Sequence, residues 1–410
     1  MAGKMLMGQK ELKRSYVLKK VQCGEITLVT AAKQLNISYR QTKRQYARYL
    51  EGGEFGLLHR NQGRRSNNRK GAELKKKVLL TYQERYTGFG PTLAAEHLLK
   101  NEKIHISDET LRQWLLEEGL WQRKRRKNPY RSRRERRACF GELVQFDGSH
   151  HDWFEGRRGK CCLMNMVDDA TGLSFAMLFE EETTEAAMVV LSCWVRRYGL
   201  PQALYCDRKN AFVTNREPSI EEQLSGELPR SHFEKACDRL GIEVIQAHSP
   251  QAKGRVERSH GVYQDRFVKE LRLAGISTIE EANQYLAEEY LPTVNTKFAR
   301  PPACMEDGHV PLGNADLREI LCFEEQRVVS RDFVIGFKRR LFQILPKSRP
   351  RPRPGEKVAV RVRLDKTLDV YFRGVKLSCE EIQTNLKTEE SLQIHCQKQD
   401  ISTLVRQGTF

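Results

Sequence analysis

Residues 141–149, GELVQFDGS, decide how this chain is read. A short apolar run followed by Asp147-Gly148 has the signature of a strand that ends on a carboxylate. Outward from it, CCLMNMVDDA (161–170) and LSFAMLFEE (173–181) read as two more strands joined at Thr171-Gly172. Apolar periodicity then predicts a helix from about Thr184 to Arg197, closed by Gly199. ALYCD (203–207) is a brief strand ending on Asp207, HFEKACDRLG (232–241) is helical and IEVIQA (242–247) is a strand. A long helix follows from near Gly254 to about Leu273. Three strands, helix, strand, helix, strand, helix is the order of a mixed α/β domain, placed here over residues 139–300.

In that order the first strand and the strand ending on Asp207 can lie side by side, about 4.8 Å apart, which brings Asp147 and Asp207 to one sheet edge. Two carboxylates that close repel unless a cation lies between them. Glu257, in the first turn of the last helix, can approach the same point. Three acidic side chains around one spot make a hard-cation site for Mg²⁺ or Mn²⁺. Each residue has an ordinary explanation alone: Asp147-Gly148 is a hairpin signal, Asp207 suits a turn, and Glu257 suits a solvated helix face. Their joint placement outweighs those explanations. Asp168, Asp169, Asp152 and Glu155 offer a competing trio, but Asp168-Asp169-Ala-Thr-Gly has the composition of a turn. His150-His151 invites a zinc reading, which lacks a spaced set of Cys and His partners.

On the last helix, Val256, His260, Tyr263, Phe267 and Leu271 fall on one apolar face, with Glu257, Gly261 and Gln264 along its flank. Arg255, Arg258, Arg266 and Lys269 gather on another side, as DNA contacts or as solvated charges.

The N-terminal third reads as two helical units. From Gln9 to Leu50 the pattern is three helices, with breaks at Gly24 and Asn36 and Ser38 placed to cap the third. This is helix-turn-helix spacing, assigned to residues 1–60. Its last helix presents Arg40, Lys43, Arg44 and Arg48, while Thr42, Tyr46, Tyr49 and Leu50 are expected to face inward. A second helix-turn-helix-like unit occupies 61–121, with Ser107 capping its last helix and Leu111, Trp114 and Leu115 as a core stripe; it suits DNA reading and packing equally. A basic linker spans 122–138. Ten of the sixteen residues from 122 to 137 are Lys or Arg, including Arg123, Lys124, Arg125 and Arg126, and such a block stays extended until phosphate neutralises it.

Six short strand signals between 322 and 380, with Pro/Arg-rich KSRPRPRPG (347–355) among them, suggest a small barrel; 381–410 reads as a polar tail. Across all 410 residues, 71 Lys and Arg against 53 Asp and Glu give a net charge of +18, suited to a polyanion. No apolar stretch is long enough to span a membrane, and no secretory leader opens the sequence, so a cytoplasmic protein is expected. Eleven scattered cysteines, an odd number, read as reduced thiols and core filler.

Three segments, VQFDGSHHDWF (144–154), LYCDRKNAF (204–212) and HSPQAKGRVERSHGVYQDRF (248–267), resemble the core of the DDE transposases of the retroviral-integrase-like superfamily. The likeness is strongest to bacterial insertion-sequence transposases of the ISNCY type, and runs over roughly residues 10–380. It implies a multidomain α/β protein: a ribonuclease-H-like mixed-sheet catalytic core, preceded by helix-turn-helix domains and followed by a small SH3-like β-barrel. It further implies catalytic, metal-binding Asp147, Asp207 and Glu257 holding two Mg²⁺ or Mn²⁺ ions per active site, with no nucleotide cofactor. The partners implied are double-stranded DNA, as element terminal repeats and target, and further copies of the chain assembled on it beside the nucleoid. No membrane partner is expected.

His248 and Lys253, in the loop before the last helix, and Arg255 are candidate phosphate contacts. The forty-nine residues between Asp207 and Glu257 exceed the spacing common in the family, the excess lying in the polar stretch 213–231. Where many relatives carry Lys or Arg, this chain has Gln264, so no charged phosphate contact is implied there.

Overall fold

The computed structural model describes residues 7–58, 70–123, 134–207, 212–214, 216–218, 223–224, 226, 229–246 and 254–382. Two compact units emerge. The first holds the described residues up to Thr87 and those from Leu98 to Leu120; the second holds Gly88–His97 and the described residues from Trp121 onward.

The first unit is helical. Helices α1 (Gln9–Gln22), α2 (Leu28–Leu35) and α3 (Tyr39–Gly52) are followed by α4 (Ala72–Arg85), the end of α5 (Pro91–Glu102) and α6 (Asp108–Glu117). Short hydroxyl side chains set the starts: Thr27, Ser38 and Ser107 accept the backbone N–H groups of Thr30, Gln41 and Thr110. Asn36 ends α2 at a φ of 52°, a left-handed turn that asparagine tolerates. Thr42 and Gln45 form the buried face of α3 and Tyr46 and Tyr49 are half-buried. Leu50, expected inward, is 54% exposed, because it sits one step round the helix from that face.

The second unit is organised by a mixed sheet. After β1 (Cys139–Phe140) come β2 (Val144–His151), β3 (Cys161–Asp168) and β4 (Ser174–Phe179), then α7 (Thr184–Tyr198), β5 (Ala203–Cys206), α8 (His232–Arg239), β6 (Glu243–Gln246) and α9 (Gly254–Leu273). The five main strands stand in the order β4-β3-β2-β5-β6. β2, β3 and β4 are antiparallel neighbours, whereas β5 and β6 add to β2 in parallel. This mixed order fits a ribonuclease-H-like core. β3 and β4 are buried along their whole lengths, since they carry helices on both sides; Met164, Met166, Phe175, Met177 and Trp194 belong to this core.

β4 is an edge strand, and its outward backbone groups are closed by side chains. α10 (Ile279–Tyr285) continues through a π-turn (Leu286–Tyr290) into α11 (Leu291–Phe298). The Asn283 amide accepts from Leu178 N–H at 2.7 Å and donates to its carbonyl at 2.9 Å, and Asn295 does the same for Ser174 at 2.8 Å each. Polar groups that further strand pairing would satisfy are thus occupied. In a separate two-stranded sheet β1 pairs in parallel with β7 (Cys304–Asp307). Gly141 has a φ of +83°, and a Cβ there would lie 2.2 Å from His309 Nδ1, so only glycine lets that ring pack on Phe140.

Beyond α12 (Leu317–Ile320), β8 (Cys322–Val328), β9 (Val334–Phe337), β10 (Arg340–Ile344), β11 (Lys357–Arg363), β12 (Leu368–Phe372), β13 (Val375–Lys376) and β14 (Cys379–Ile382) form two antiparallel sheets, β13-β12-β11-β8 and β14-β10-β9. They share one apolar core that includes Ile335, Phe342, Val360 and Val370. β14 runs two residues past the expected end at 380, because Leu341 and Phe342 pair with Ile382 and Glu381.

Candidate active site

β2 and β5 run in parallel with Gln145 opposite Tyr205 and Phe146 opposite Cys206. Asp147 and Asp207 are therefore the next positions along two neighbouring strands, whose separation is about 4.8 Å. β2 continues beyond Asp147 to His151, because its other edge stays paired with β3. Asp147 marks the point where the parallel ladder stops rather than the strand's end.

Strand alternation places Gln145, Asp147 and Ser149 on one face and Val144, Phe146 and Gly148 on the other. Phe146 meets Phe212 and Phe233, with ring centroids 5.0 and 6.1 Å away. The Gln145 face carries α9. Val256 N–H donates to Gln145 Oε1 at 3.1 Å, and Gln264 Nε2 donates to Ser149 Oγ at 3.0 Å. Asn165, directly across from Asp147 on β3, donates from Nδ2 to Ser259 Oγ at 2.9 Å. Glu257 lies in the first turn of α9 between these anchored positions. Asp147 and Asp207 are half-buried and Glu257 is exposed. The helix buries Val256, His260, Tyr263, Phe267, Val268 and Leu271, the face expected from its periodicity with Val268 added.

One buried carboxylate fastens this arrangement. Asp169 is fully buried and accepts from Gln145 Nε2 at 2.9 Å, Arg255 Nη1 at 2.6 Å and Arg137 N–H at 2.9 Å, and pairs with Arg134. The same Gln145 side chain that Asp169 holds presents its oxygen to α9. Burial draws the Arg255 guanidinium below its ordinary pKa; Asp169 opposes that, while Arg134, Arg136 and Arg258 reinforce it. Arg255, with only 16% of its side chain exposed, is an internal brace here. Asp168 serves the adjoining turn, accepting from Gly141 N–H and from the backbone and hydroxyl of Thr171. Burial pushes its carboxyl pKa up, against those hydrogen bonds. Asp152 accepts from Gly156 N–H at 3.0 Å, and Glu155 lies 3.5 Å from Arg272. The acids that competed with the trio in sequence thus have partners within the fold.

On α9's other side, Arg266 grips Glu96 through both η nitrogens, Lys269 bonds Asp265 and His97 bonds Glu270 at 2.9 Å. On α3, Arg40, Lys43 and Arg44 are exposed and Arg48 half-buried; Arg123 is exposed. Lys124, Arg125, Arg126, His248 and Lys253 lie outside the described residues, as do eight of the nineteen residues of the insertion at 213–231.

Among the described residues, Asp147, Asp207 and Glu257 do not form a group with ligand atoms within 4.8 Å of one another, whereas His150, Cys162 and Glu182 do. That second group was not legible in sequence, nor were the anchoring roles of Gln145, Asn165 and Asp169. The available signal was a Gln and an Asn inside otherwise apolar strands, since a buried amide needs partners.

The chain is 36% identical over 378 residues to a Sinorhizobium fredii protein described as "Putative transposase y4bF", covering 92% of this chain and 81% of that one. It is 28% identical over 368 residues to the transposase for insertion sequence IS1202 of Streptococcus pneumoniae, covering 81% and 77%. Among solved structures, the HTLV-2 integrase catalytic core domain in complex with magnesium is 18% identical, with 37% of this chain and 90% of that one covered and a TM-score of 0.28. The BIV integrase catalytic core domain is 23% identical, with 38% and 99% covered and a TM-score of 0.27. No family model matches the chain.

Proposed function

The chain belongs to the transposases, and from that premise we propose that it has an integrase-like catalytic core that cleaves insertion-sequence ends and transfers them into target DNA, using Asp147, Asp207 and Glu257. The observation that carries this reading is the register of β2 on β5. It sets Asp147 and Asp207 at equivalent steps of adjacent strands, on a sheet whose Asp147 face is crossed by the helix bearing Glu257.

Carboxylate oxygens are hard donors that suit Mg²⁺ or Mn²⁺, and Asp147, Asp207 and Glu257 would hold such ions once Glu257 closes on the two aspartates. When bound as a pair, such ions activate a water or a DNA 3′-hydroxyl and stabilise the leaving oxygen. The protein's own contribution is placement. Gln145 and Asn165 fix the first turn of α9 over the sheet, so Glu257 is presented from a braced helix. Ser149 holds Gln264 on the same flank. A Cβ at Gly261 would meet nothing within 4 Å, leaving room beside Glu257 for the DNA backbone.

The exposed cations of α3, Arg40, Lys43 and Arg44, with Arg48, suit a helix-turn-helix reader of the terminal repeats. Arg123 begins the basic linker, whose Lys124, Arg125 and Arg126 would neutralise phosphate, as would His248 and Lys253 before α9. The C-terminal sheets resemble an SH3-like barrel that binds DNA or bridges subunits, and the active form is a homo-oligomer on paired ends.

The test is nicking of DNA carrying the terminal repeats, with Mg²⁺ or Mn²⁺, by the full chain and by Glu257→Gln. The wild type is expected to bind and cut, and the variant to bind without cutting. If both bind and neither cuts, the chain is a DNA-binding regulator.

A further inference from the structure

On the sheet face opposite Asp147, three side chains of different chemistry meet. His150 and Cys162 stand directly across from each other on β2 and β3. Glu182 comes from the loop between β4 and α7, one residue before the Thr183 cap of that helix. One ligand atom from each lies within 4.8 Å of the other two. His150 Nε2 is 3.3 Å from Glu182 Oε2. Cys162 is fully buried, and the Glu182 side chain is only 6% exposed.

Glu182 follows two other glutamates, and Glu180 remains at the surface with Arg158. Turning Glu182 inward carries a desolvation cost. The sheet is shaped to receive it. A Cβ at Gly148 would lie 2.7 Å from Glu182 Cδ and 3.0 Å from Cys162 Sγ. Any residue but glycine at that position would push the carboxylate off the thiol.

We propose that His150, Cys162 and Glu182 bind Zn²⁺. One nitrogen, one sulfur and one oxygen donor form a set that favours zinc over magnesium. The thiolate and carboxylate together neutralise the dication, and the Cys162 thiol releases its proton on binding. Zinc ligands at about 2.0–2.1 Å in tetrahedral geometry lie about 3.3 Å apart for nitrogen and oxygen, the separation His150 and Glu182 already have. Solvent reaches the site past His150, whose side chain is 55% exposed, so water completes the fourth position. The ion pins β2 and β3 to the loop that starts α7, as a structural site separate from the carboxylates on the opposite face.

Co²⁺ is the probe, because a thiolate ligand gives it a near-ultraviolet charge-transfer band that oxygen ligands do not. The full chain, stripped with chelator, is titrated with Co²⁺ and then with Zn²⁺. The band is expected at one equivalent and should bleach as Zn²⁺ displaces Co²⁺. Cys162→Ser should abolish it, His150→Ala and Glu182→Gln should weaken binding by about tenfold or more, and Glu257→Gln should leave the band in place. His150 is exposed enough that its variant folds, which keeps the test decisive if Cys162→Ser does not. Absence of the band in the wild type, or its persistence at full strength in His150→Ala and Cys162→Ser, overturns the proposal.

Discussion

Replacing Asp169 with asparagine should both loosen the core and misplace Glu257. The carboxylate is fully buried and holds two guanidinium groups, with Arg255 16% and Arg134 39% exposed. Removing one partner of a fully buried pair costs about 3–5 kcal/mol, and the partial access of water to both arginines lowers that to about 2–4 kcal/mol. At about 1.4 kcal/mol per tenfold, the folding constant drops by roughly thirty- to a thousandfold. Asparagine still offers Gln145 an acceptor, so the loss comes mainly from cations left facing one another: Arg255, Arg134 and Arg136. Urea denaturation followed through the buried Trp153 and Trp194, both in the second unit, reads the effect. Arg255→Met in the Asp169→Asn background should recover part of the loss, with a coupling of about 1 kcal/mol or more. Nicking should fall at least about tenfold in Asp169→Asn while repeat binding persists, since Gln145 positions α9. A wild-type midpoint for Asp169→Asn, or strict additivity with Arg255→Met, would refute the brace.

Gly261→Ala should stabilise the second unit by up to about 1 kcal/mol, since α9 gains a better helix former in open space; Gly261→Glu should fold equally well yet lose most nicking, as a carboxylate there would repel phosphate. Burial alone would raise the Glu96 carboxyl pKa, but Arg266 and Lys297 outweigh it and hold it below its ordinary value. Its contribution is therefore present above the unfolded value near 4.5 and lost as pH falls through the lower folded value, so Glu96→Gln should flatten the acid limb of a stability-against-pH curve. On the reader helix, Arg44→Ala should weaken terminal-repeat binding and reduce the slope of log affinity against log salt by about one.

Local pattern made much of this molecule legible. The period of α9 identified both its span and its buried face, and Ser38, Ser107 and Asn36 marked helix ends through capping chemistry that needs only neighbouring residues. The Asp168 turn was equally readable. Pairings between distant segments were not. Asp169 looked like part of that same turn, yet its carboxylate joins β2, the residues before β1 and α9. Arg255 and Arg266 shared a charged helix side, and only the fold shows that they face Asp169 and Glu96. Asn283 and Asn295, in a stretch with no strong signal, close the edge of β4. His150 lacked sequence-spaced partners because its neighbours Cys162 and Glu182 arrive from another strand and a later loop. For the trio itself, sequence order indicated a shared location; the register of β2 on β5 sets Asp147 beside Asp207, while the three carboxylates do not close to within 4.8 Å of one another.

The most direct measurement of the carboxylates' role is nicking by Asp207→Cys with Mg²⁺ and with Mn²⁺. A thiolate is a poor ligand for magnesium and an acceptable one for manganese. If Asp207 binds a catalytic ion, the variant should lose activity with Mg²⁺ and regain a measurable part of it with Mn²⁺, whereas Asp207→Ala should stay inactive with both. Full Mg²⁺-supported nicking by Asp207→Cys or Asp207→Ala would contradict the assignment.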